Sequence, residues 1–217
     1  MKKTFEIVKY NPLWNGIGYN DFEQMFHCIE ARTQSFEKGD IVLLSGDSVN
    51  SIGMIISGSV KVIKEDMEGN ITILTELGVS ELFGEVFACA GIEHSPVTVQ
   101  AADACEIMFF NYKKVVASCT QACQFHSRLV ENMLMLIAKK TLLLNQKIEI
   151  LSQRTTREKL LLFFDIERGM AKKFTIPYNR EELAHYLCVD RSAMSNELCK
   201  MRDEGLIKFR KNEFEML

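Results

Sequence analysis

Short runs of apolar residues, separated by glycines and polar turns, fill the chain between Phe36 and Asn111. The runs are IVLLS, GMIISGSVKVI, ITILTEL, VTVQA and CEIMFF. Turn residues that recur about every 8–12 positions are typical of an antiparallel sandwich or barrel. The segment EDMEGN at 65–70 predicts the loop that joins two paired strands. The 35 residues before this part hold Trp14 and are predicted to be partly helical.

After about residue 112 the apolar positions follow a helical period, which predicts a long helix over roughly 124–152. Three heptads of alternating four- and three-residue spacing favour pairing with a second copy of this helix. The positions with this spacing are Val130, Leu134, Ile137, Thr141, Leu144, Ile148 and Leu151. A second apolar set is expected to pack on the β-rich part and comprises Leu129, Met133, Leu136, Leu142 and Leu143.

Beyond Arg154 the pattern predicts several shorter elements. TREKLLLFFDIERG predicts a helix that ends at Gly169 and is followed by a loop. Asn179 and Glu182 form a capping-box pattern at the start of ELAHYL, and Asp190 caps RSAMSNELCKMRDE, which is expected to stop at Gly205. Two alternating strands, LIKFR and EFEML, surround a turn at 211–212. This order of elements predicts a winged helix-turn-helix.

The second helix of a helix-turn-helix presents its N-terminal side chains to the major groove of DNA. Arg191 can pair with guanine and Asn196 with adenine through two hydrogen bonds each. The candidate base-reading residues are Arg191, Ser192, Ser195 and Asn196, and the candidate phosphate contacts are Arg180, Lys200, Arg202, Lys208, Arg210 and Lys211. The apolar positions spaced to pack the two helices together are Ala184, Leu187, Val189, Met194 and Leu198. A winged-helix module that contacts protein is the alternative interpretation.

The composition is that of a globular protein with two modest domains or one large one. In 217 residues, 47% are hydrophobic and 25% are charged, which excludes a disordered chain. Residues 1–151 carry 13 Lys and Arg against 18 Asp and Glu, a net charge of −5. Residues 152–217 carry 13 against 11, a net charge of +2, which brings the total to −3. A polyanionic partner is therefore expected to bind the C-terminal part.

The cysteines and histidines indicate neither a disulfide framework nor a metal centre. The seven cysteines form no C-x-x-C pair, and MKKTFEIVKYNP lacks the apolar core of a secretory signal, so we expect reduced thiols and a cytoplasmic location. No apolar run approaches the ~18 residues of a membrane span. The four histidines, at 27, 94, 126 and 185, are scattered. A metalloenzyme on a cupin-like barrel is therefore a weak alternative, and we expect no enzyme activity and no metal site.

Two blocks of sequence carry a family resemblance. Both blocks are similar to segments of the Crp/Fnr superfamily of bacterial transcription regulators. Its cyclic-nucleotide-binding jelly roll is similar to FEKGDIVLLSGDSVNSIGMIISGSVKVI with LFGE. Its helix-turn-helix is similar to REELAHYLCVDRSAMSNELCKMRDEGLI. The resemblance implies an α+β chain with an N-terminal antiparallel jelly roll as sensor domain (1–122), a dimerisation helix (123–152) and a C-terminal winged helix-turn-helix (153–217). It further implies a homodimer that binds a two-fold symmetric promoter site in double-stranded DNA, with a small-molecule or redox signal relayed through the long helix. RNA polymerase is a further candidate partner.

The resemblance places the effector pocket between segment 84–98 and the long helix. In cyclic-AMP-binding members the phosphate-binding segment begins with Gly-Glu and ends with an arginine, whose position here falls on Ser95, or on His94 if the alignment shifts by one. Neither side chain supplies a permanent positive charge for a buried phosphodiester, so we do not expect cyclic AMP as the effector, which stays unknown. The candidate pocket residues are Gly84, Glu85, His94, Ser95, Val97, Thr98, Leu134, Ile137 and Thr141.

Other departures from the family concern cysteines and the DNA-binding helix. Only Cys28 lies in the first 88 residues, so an N-terminal iron–sulfur cluster is not expected. Cys119 and Cys123 would lie one turn apart in a helix, where packing under the long helix is favoured over metal or thiol sensing. Asn196 stands where the family often has arginine. Cys188 stands where the turn often has glycine, which predicts a slightly strained or altered turn.

Overall fold

The computed structural model of the chain describes residues 1–66, 68–116 and 124–217. The helices are α1 Lys2–Val8, α2 Tyr19–Cys28, α3 Glu85–Cys89, α4 Tyr112–Val116, α5 Gln124–Leu151, α6 Thr156–Arg168, α7 Arg180–Leu187 and α8 Arg191–Asp203, with a 3₁₀ turn at Pro12–Trp14. The strands are β1 Arg32–Phe36, β2 Ile41–Leu43, β3 Ser51–Ser57, β4 Val60–Glu65, β5 Ile71–Leu77, β6 Leu82–Phe83, β7 Thr98–Ala101, β8 Cys105–Asn111, β9 Lys173–Thr175, β10 Ile207–Arg210 and β11 Glu213–Met216. Cys119 and Cys123 lie outside the described residues.

The chain divides into two compact units, residues 1–138 and 139–217, so that the division falls within α5. The predicted boundaries at 122 and 152 stay a prediction. In the N-terminal unit, two four-stranded antiparallel sheets have the orders β1-β8-β3-β6 and β2-β7-β4-β5. In the C-terminal unit, three helices pack with a three-stranded sheet of order β10-β11-β9. This architecture confirms the predicted α+β fold class.

Strand β3 is buried on both faces, which explains why its sequence is almost continuously apolar. Ile55 faces the second sheet and shares a core with Val60 and Val99. Ile52 and Met54 point the other way into a core built with α1, α2 and the start of α5. The lone Trp14 belongs to this second core, and its indole N–H donates to Met54 Sδ at 3.3 Å.

The beginning of α5 is anchored within the N-terminal unit. Leu129, Met133 and Leu136 are buried there, as the second apolar set predicted. The buried Asn132 donates from Nδ2 to the carbonyls of Leu13 and Asn15, each at 2.9 Å. A buried amide is costly to leave without partners, so these two bonds determine which side of the helix faces the core. Two members of the predicted packing set differ, since Leu142 and Leu143 are 62% and 64% exposed.

The capping residues predicted for the C-terminal helices are present in the structure. The Asn179 side chain accepts from the backbone N–H of Glu182, whose carboxylate accepts from the Asn179 N–H, which completes a capping box. Asp190 accepts from the N–H of Ala193 at 2.8 Å and begins α8. The Lys211–Asn212 turn joins β10 and β11, as predicted. Each assignment rests on contacts between residues that are close in sequence.

Strand β9 lies where the sequence predicted only a loop. Its three residues, KFT, are too few to show a strand period. The strand forms because Phe174 lies opposite Phe214 of β11, with ring centroids 5.8 Å apart and stacked planes. A contact between residues this distant in sequence leaves no local pattern.

Arg157, near the start of α6, binds α8 through two carboxylates. Its Nε donates to Glu197 Oε1 at 2.5 Å, and its terminal nitrogens donate to both oxygens of Glu204 at 2.8 Å. The hydrogen bonds from Arg157 lower the pKa of Glu204. A two-pronged guanidinium–carboxylate pair restricts orientation as well as distance. Arg157 therefore helps to determine how α8 lies in the domain.

The turn between α7 and α8 places a side chain in the left-handed backbone region. Cys188 has φ 51° and ψ 52°, a conformation that glycine adopts without steric cost. Its thiol makes only a 3.7 Å contact with the His185 carbonyl. The strain expected from a cysteine at this turn is therefore present in the structure.

We expect Arg157→Met to destabilise the C-terminal unit more at pH 7 than at pH 3. Because the pKa of Glu204 is lowered in the folded state, its pairing stabilises above the unfolded-state pKa of about 4.3, and this contribution is lost as the pH falls through the lower folded-state pKa. Thermal unfolding followed by far-ultraviolet circular dichroism at both pH values measures the effect. Lys200→Met removes a 3.8 Å contact with Glu197 and an electrostatic effect on Glu204 that is smaller than that of Arg157, so it is the control and should show a smaller difference between the two pH values. An equal loss at both pH values would contradict the prediction.

We expect Cys188→Gly to raise the free energy of unfolding by about 0.5–1 kcal/mol. Left-handed backbone costs an L-residue about 1–2 kcal/mol, and the greater freedom of glycine in the unfolded chain offsets about 0.5–1 kcal/mol of the relief. The same substitution at exposed Cys199, inside α8, should instead lower stability by a few tenths of a kcal/mol, because in a helix glycine is about 0.8–1 and cysteine up to about 0.7 kcal/mol less favourable than alanine. Chemical denaturation of the two variants measures both effects. If both substitutions lowered the free energy of unfolding, the turn at Cys188 would carry no strain.

Candidate nucleic-acid interface and effector region

One side of α8 packs in the core of the C-terminal unit, and the other side is exposed to solvent. Met194 and Leu198 are buried, as are Ala184 and Leu187 of α7, in the core of the C-terminal unit. Val189 packs partly buried beside them. These are the five positions that the spacing predicted to join the two helices. The opposite side of α8 faces solvent along its N-terminal turns.

The four predicted base-reading residues lie together on this side. Arg191, Ser192 and Asn196 are exposed, and Ser195 is half-buried. A spacing of four residues places Arg191 beside Ser195, and Ser192 beside Asn196, on neighbouring turns of the helix. Within the described part of the chain, the guanidinium of Arg191 and the amide of Asn196 have no hydrogen-bond partner, so both are available to base edges.

The two serine hydroxyls are already committed as donors. Ser192 Oγ donates to Asp190 Oδ1 at 2.5 Å, and Ser195 Oγ donates to the Arg191 carbonyl at 2.9 Å. The hydrogen bonds from Ser192 and from the Ala193 N–H lower the pKa of Asp190, so the cap is ionised at neutral pH and complements the positive end of α8. Toward DNA, the hydroxyl oxygens are left to act mainly as acceptors.

The carboxylates of α8 and its C-terminal end are paired with cations. Glu197 and Glu204 are held by Arg157, and Asp203 accepts from Arg202 at 2.8 Å. These pairs reduce the repulsion that acidic groups would exert on phosphates. The role of Arg157 could not be predicted from the sequence, because its two carboxylate partners are 40 and 47 residues away and no local pattern indicates the contacts.

The predicted phosphate contacts differ in whether a carboxylate lies near each positive charge. Lys208 lies directly across from Glu215, and Arg210 across from Glu213, so the charges on the two strands of the wing nearly cancel. Lys211 is exposed at the turn between these strands and has no carboxylate partner within the described residues. Lys200 and Arg202 are exposed but lie near the carboxylates of Glu197 and Asp203. Lys211 is therefore the freest cation of the wing.

Arg180 has a structural environment that the sequence did not predict. Its guanidinium lies 5.1 Å and 5.0 Å from the ring centroids of Phe209 and Phe214, and Nη2 donates to the Lys211 carbonyl at 2.9 Å. Burial lowers its pKa, and Nη1 is buried without a hydrogen-bond partner. A side chain engaged in this way positions the wing and fits the predicted phosphate contact less well than Lys211 does.

One exposed residue of the same helix was not included in the prediction. Cys199 follows Ser195 by one helical turn and has a free, exposed thiol. Its spacing of four residues from Ser195 could have placed it beside that residue on the helix surface. It was not included because a cysteine carries no charge that would indicate a DNA contact.

The effector region was predicted around segment 84–98, and its central polar residue is committed to the backbone. Ser95 is 2% exposed, and its Oγ donates to the Val97 carbonyl at 2.6 Å. His94 is exposed, and its Nδ1 lies 2.9 Å from the Gly46 carbonyl. Segment 84–98 contains no lysine or arginine. The segment itself therefore supplies no permanent cation for a phosphate group.

The other predicted pocket residues have diverse environments. Gly84 has φ 79° and begins α3, in which Glu85 is buried. Val97 is buried, and Thr98 Oγ1 accepts from the Ser45 N–H at 3.0 Å. Of the three predicted α5 positions, Leu134 and Thr141 are exposed and Ile137 packs partly buried on the core of the N-terminal unit. His94 lines a cavity of about 360 Å³ whose other lining residues, including Tyr112 and Lys113, were not predicted.

In residues 1–66, 68–116 and 124–217, no group of three or more His, Cys, Asp and Glu side chains is arranged to hold a metal ion. Among the helices in these ranges, none combines the length and the apolar character that crossing a membrane requires.

Comparisons with known proteins match both units of the chain. The cyclic nucleotide-binding domain family matches residues 33–121, and the Crp-like helix-turn-helix domain family matches residues 142–217. A protein named Cyclic AMP receptor protein from Thermus thermophilus is 22% identical over 203 residues, which cover 93% of this chain and 90% of the relative.

Solved structures with the same fold cover almost the whole chain. The catabolite activator protein of Thermus thermophilus has a TM-score of 0.56 at 19% identity and covers 95% of this chain and 94% of its own. DNR from Pseudomonas aeruginosa has a TM-score of 0.54 at 18% identity, covering 98% and 92%. Both domain matches, in this order and with this fold, show that the chain belongs to the Crp/Fnr superfamily and is a DNA-binding transcription regulator rather than an enzyme.

Proposed function

We propose that the chain acts as a homodimer whose two α8 helices bind a two-fold symmetric promoter site in double-stranded DNA. In this proposal Arg191 reads a guanine, Asn196 reads an adenine, and Ser192 and Ser195 add acceptor contacts to base edges. The functional division is a sensor domain over 1–122, a dimerisation helix over 123–152 and a DNA-binding domain over 153–217. The observation that carries the proposal is the capped, exposed face of α8 with its unpaired Arg191 and Asn196.

The exposed leucine-rich stripe of α5 supports the homodimer. In the single chain, Leu134, Leu144 and Ile148 are 65%, 61% and 61% exposed. These residues belong to the set with alternating three- and four-residue spacing, which is the pattern of a two-stranded coiled coil. Large apolar side chains in contact with water gain free energy when a partner covers them, at roughly 25 cal/mol per Å². A second copy of α5 supplies a surface with the same pattern.

The sensor domain is proposed to take a small effector that is not cyclic AMP. One relative is named for a cyclic nucleotide, whereas segment 84–98 of this chain has no lysine or arginine for the phosphate of such a ligand. Binding of the effector would alter the pairing of the α5 helices and hence the spacing of the two α8 helices. RNA polymerase is a further proposed partner of the DNA-bound dimer.

We expect Arg191→Ala to relax the preference for one guanine in each half-site. The loss of a two-pronged contact should cost about 1–3 kcal/mol at the preferred base and little elsewhere. Selection from a random duplex pool, followed by sequencing, measures this base preference. As control, Lys211→Ala should weaken all sequences alike and reduce the slope of log affinity against log salt by about one.

The outcomes separate the regulator from the protein-contacting alternative. Enrichment of a two-fold symmetric site supports the proposal, and an unchanged base preference in Arg191→Ala refutes the assignment of that residue. If no duplex is enriched and random DNA gives no gel shift at low salt, the exposed face of α8 serves a protein partner instead.

We expect Leu144→Glu to convert the dimer to monomer, because a carboxylate would be buried in the paired stripe. Leu142→Glu is the matched control, since Leu142 is equally exposed in the single chain but lies two residues, or about 200°, around the helix. Sedimentation equilibrium measures the mass of each variant. A monomeric Leu142→Glu beside a dimeric Leu144→Glu would show that the pairing face was assigned wrongly.

A further inference from the structure

A second cavity in the N-terminal unit adjoins the one that contains His94 but includes no residue of segment 84–98. It has a volume of about 360 Å³ and is lined by one edge strand of each sheet, β1 and β2, and by residues 48–51. The lining also includes Phe83 and Phe109, which pack with the core between the two sheets. A cavity of this size is within the range of small-molecule sites, about 300–1,000 Å³. It is therefore an opening into the interior of the sandwich at its edge.

The floor of this cavity is aromatic. The Phe109 ring lies between the rings of Phe36 and Phe83, with centroids 6.2 Å and 6.1 Å away in edge-to-face arrangements. The Phe83 ring lies so close to β3 that a Cβ on Gly53 would come within 2.1 Å of it. Glycine at this position is what lets the ring occupy its place.

The mouth of the cavity carries one positive charge and no negative charge. Arg32 lies across from Phe109 in the sheet register, and its guanidinium carbon is 5.9 Å from the Phe109 ring centroid. The lining residues include no carboxylate. In the described part of the chain, the guanidinium of Arg32 and the amides of Gln34 and Asn50 form no ion pair or hydrogen bond. An unpaired cation and two unpaired amides above an apolar floor match the groups that a small anion with an apolar body requires.

We propose that this cavity binds a small organic monoanion, a carboxylate with an aromatic or aliphatic body. The carboxylate lies on the guanidinium of Arg32, with the amides of Gln34 and Asn50 as additional donors. The apolar body lies against Phe36, Phe83 and Phe109. The edge of the sandwich thus supplies the cation that segment 84–98 lacks. A role for this anion as effector rests on the proposed function, whereas its binding does not.

Isothermal calorimetry on the full-length chain tests the binding. The probes are 2-naphthoate, phenylacetate and octanoate, and 2-naphthalenemethanol is the neutral analogue of the first. We expect at least one carboxylate to bind with one site per chain and the neutral analogue to bind at least tenfold more weakly than 2-naphthoate. If none of the three carboxylates binds, the proposal is overturned.

Three variants locate the binding. Arg32→Gln should weaken the carboxylate at least tenfold, and Lys38→Gln, which removes an exposed cation outside the cavity, should leave the affinity unchanged. Gln34→Trp places a large ring at the mouth and should abolish binding without removing the cation. Unchanged affinity in either Arg32→Gln or Gln34→Trp, or an equal loss in Lys38→Gln, overturns the assignment.

The same variants are assayed for DNA binding without and with the carboxylate, because the proposed regulator responds to an effector. Without the carboxylate, Arg32→Gln and the parent chain should bind DNA equally, because Arg32 is in the N-terminal unit, outside the helix-turn-helix. A chain that binds the carboxylate but no DNA refutes the proposed function and leaves this site standing. A chain that binds DNA but none of the carboxylates refutes this site and leaves the proposed function standing.

Discussion

The surface proposed to bind DNA depends on the contact between α7 and α8. Burial of Met194 and Leu198 beside Ala184 and Leu187 determines the rotation of α8 about its own axis. Since side chains three and four residues apart share a face, this rotation also determines which residues face outward. Asn196 is exposed because the core uses the opposite side of the helix, and Arg191 is exposed because it begins the helix, one turn before the first buried position, Met194. The face proposed to bind DNA is thus a consequence of core packing and of where α8 begins.

Ion pairs within the C-terminal unit determine which of its cations remain available to a polyanion. The C-terminal residues 152–217 have a net charge of only +2, which is a small attraction for a polyanion. Glu197 and Glu204 are drawn toward Arg157, and Lys208 and Arg210 face acidic residues across the wing. What remains unpaired on the exposed surfaces includes Arg191 at the start of α8 and Lys211 at the turn. Local placement of a few charges therefore matters more than their sum.

The sensor domain illustrates how far a family fold determines chemistry. The sandwich and its Gly84–Glu85 turn are those of a cyclic nucleotide-binding domain, yet Ser95 is bonded to backbone and no cation lies in segment 84–98. A fold positions the backbone, whereas ligand chemistry depends on individual side chains. A single substitution at an anion site can remove the charge while the surrounding strands keep their packing. Arg32, on an edge strand, shows that a cation can stand elsewhere in the same sandwich.

Features whose interactions are local could be predicted from the sequence: the caps at Asn179 and Asp190 and the long helical period of α5. Tertiary structure alone decided the features whose partners are distant. Strand β9 exists through Phe214, Arg157 binds residues 40 and 47 positions away, and Arg180 stacks on the wing with a bond 31 residues distant. Capping and periodicity act within one or two turns and are visible in neighbouring letters. A contact between separated segments depends on the three-dimensional path of the chain, so only the folded molecule reveals it.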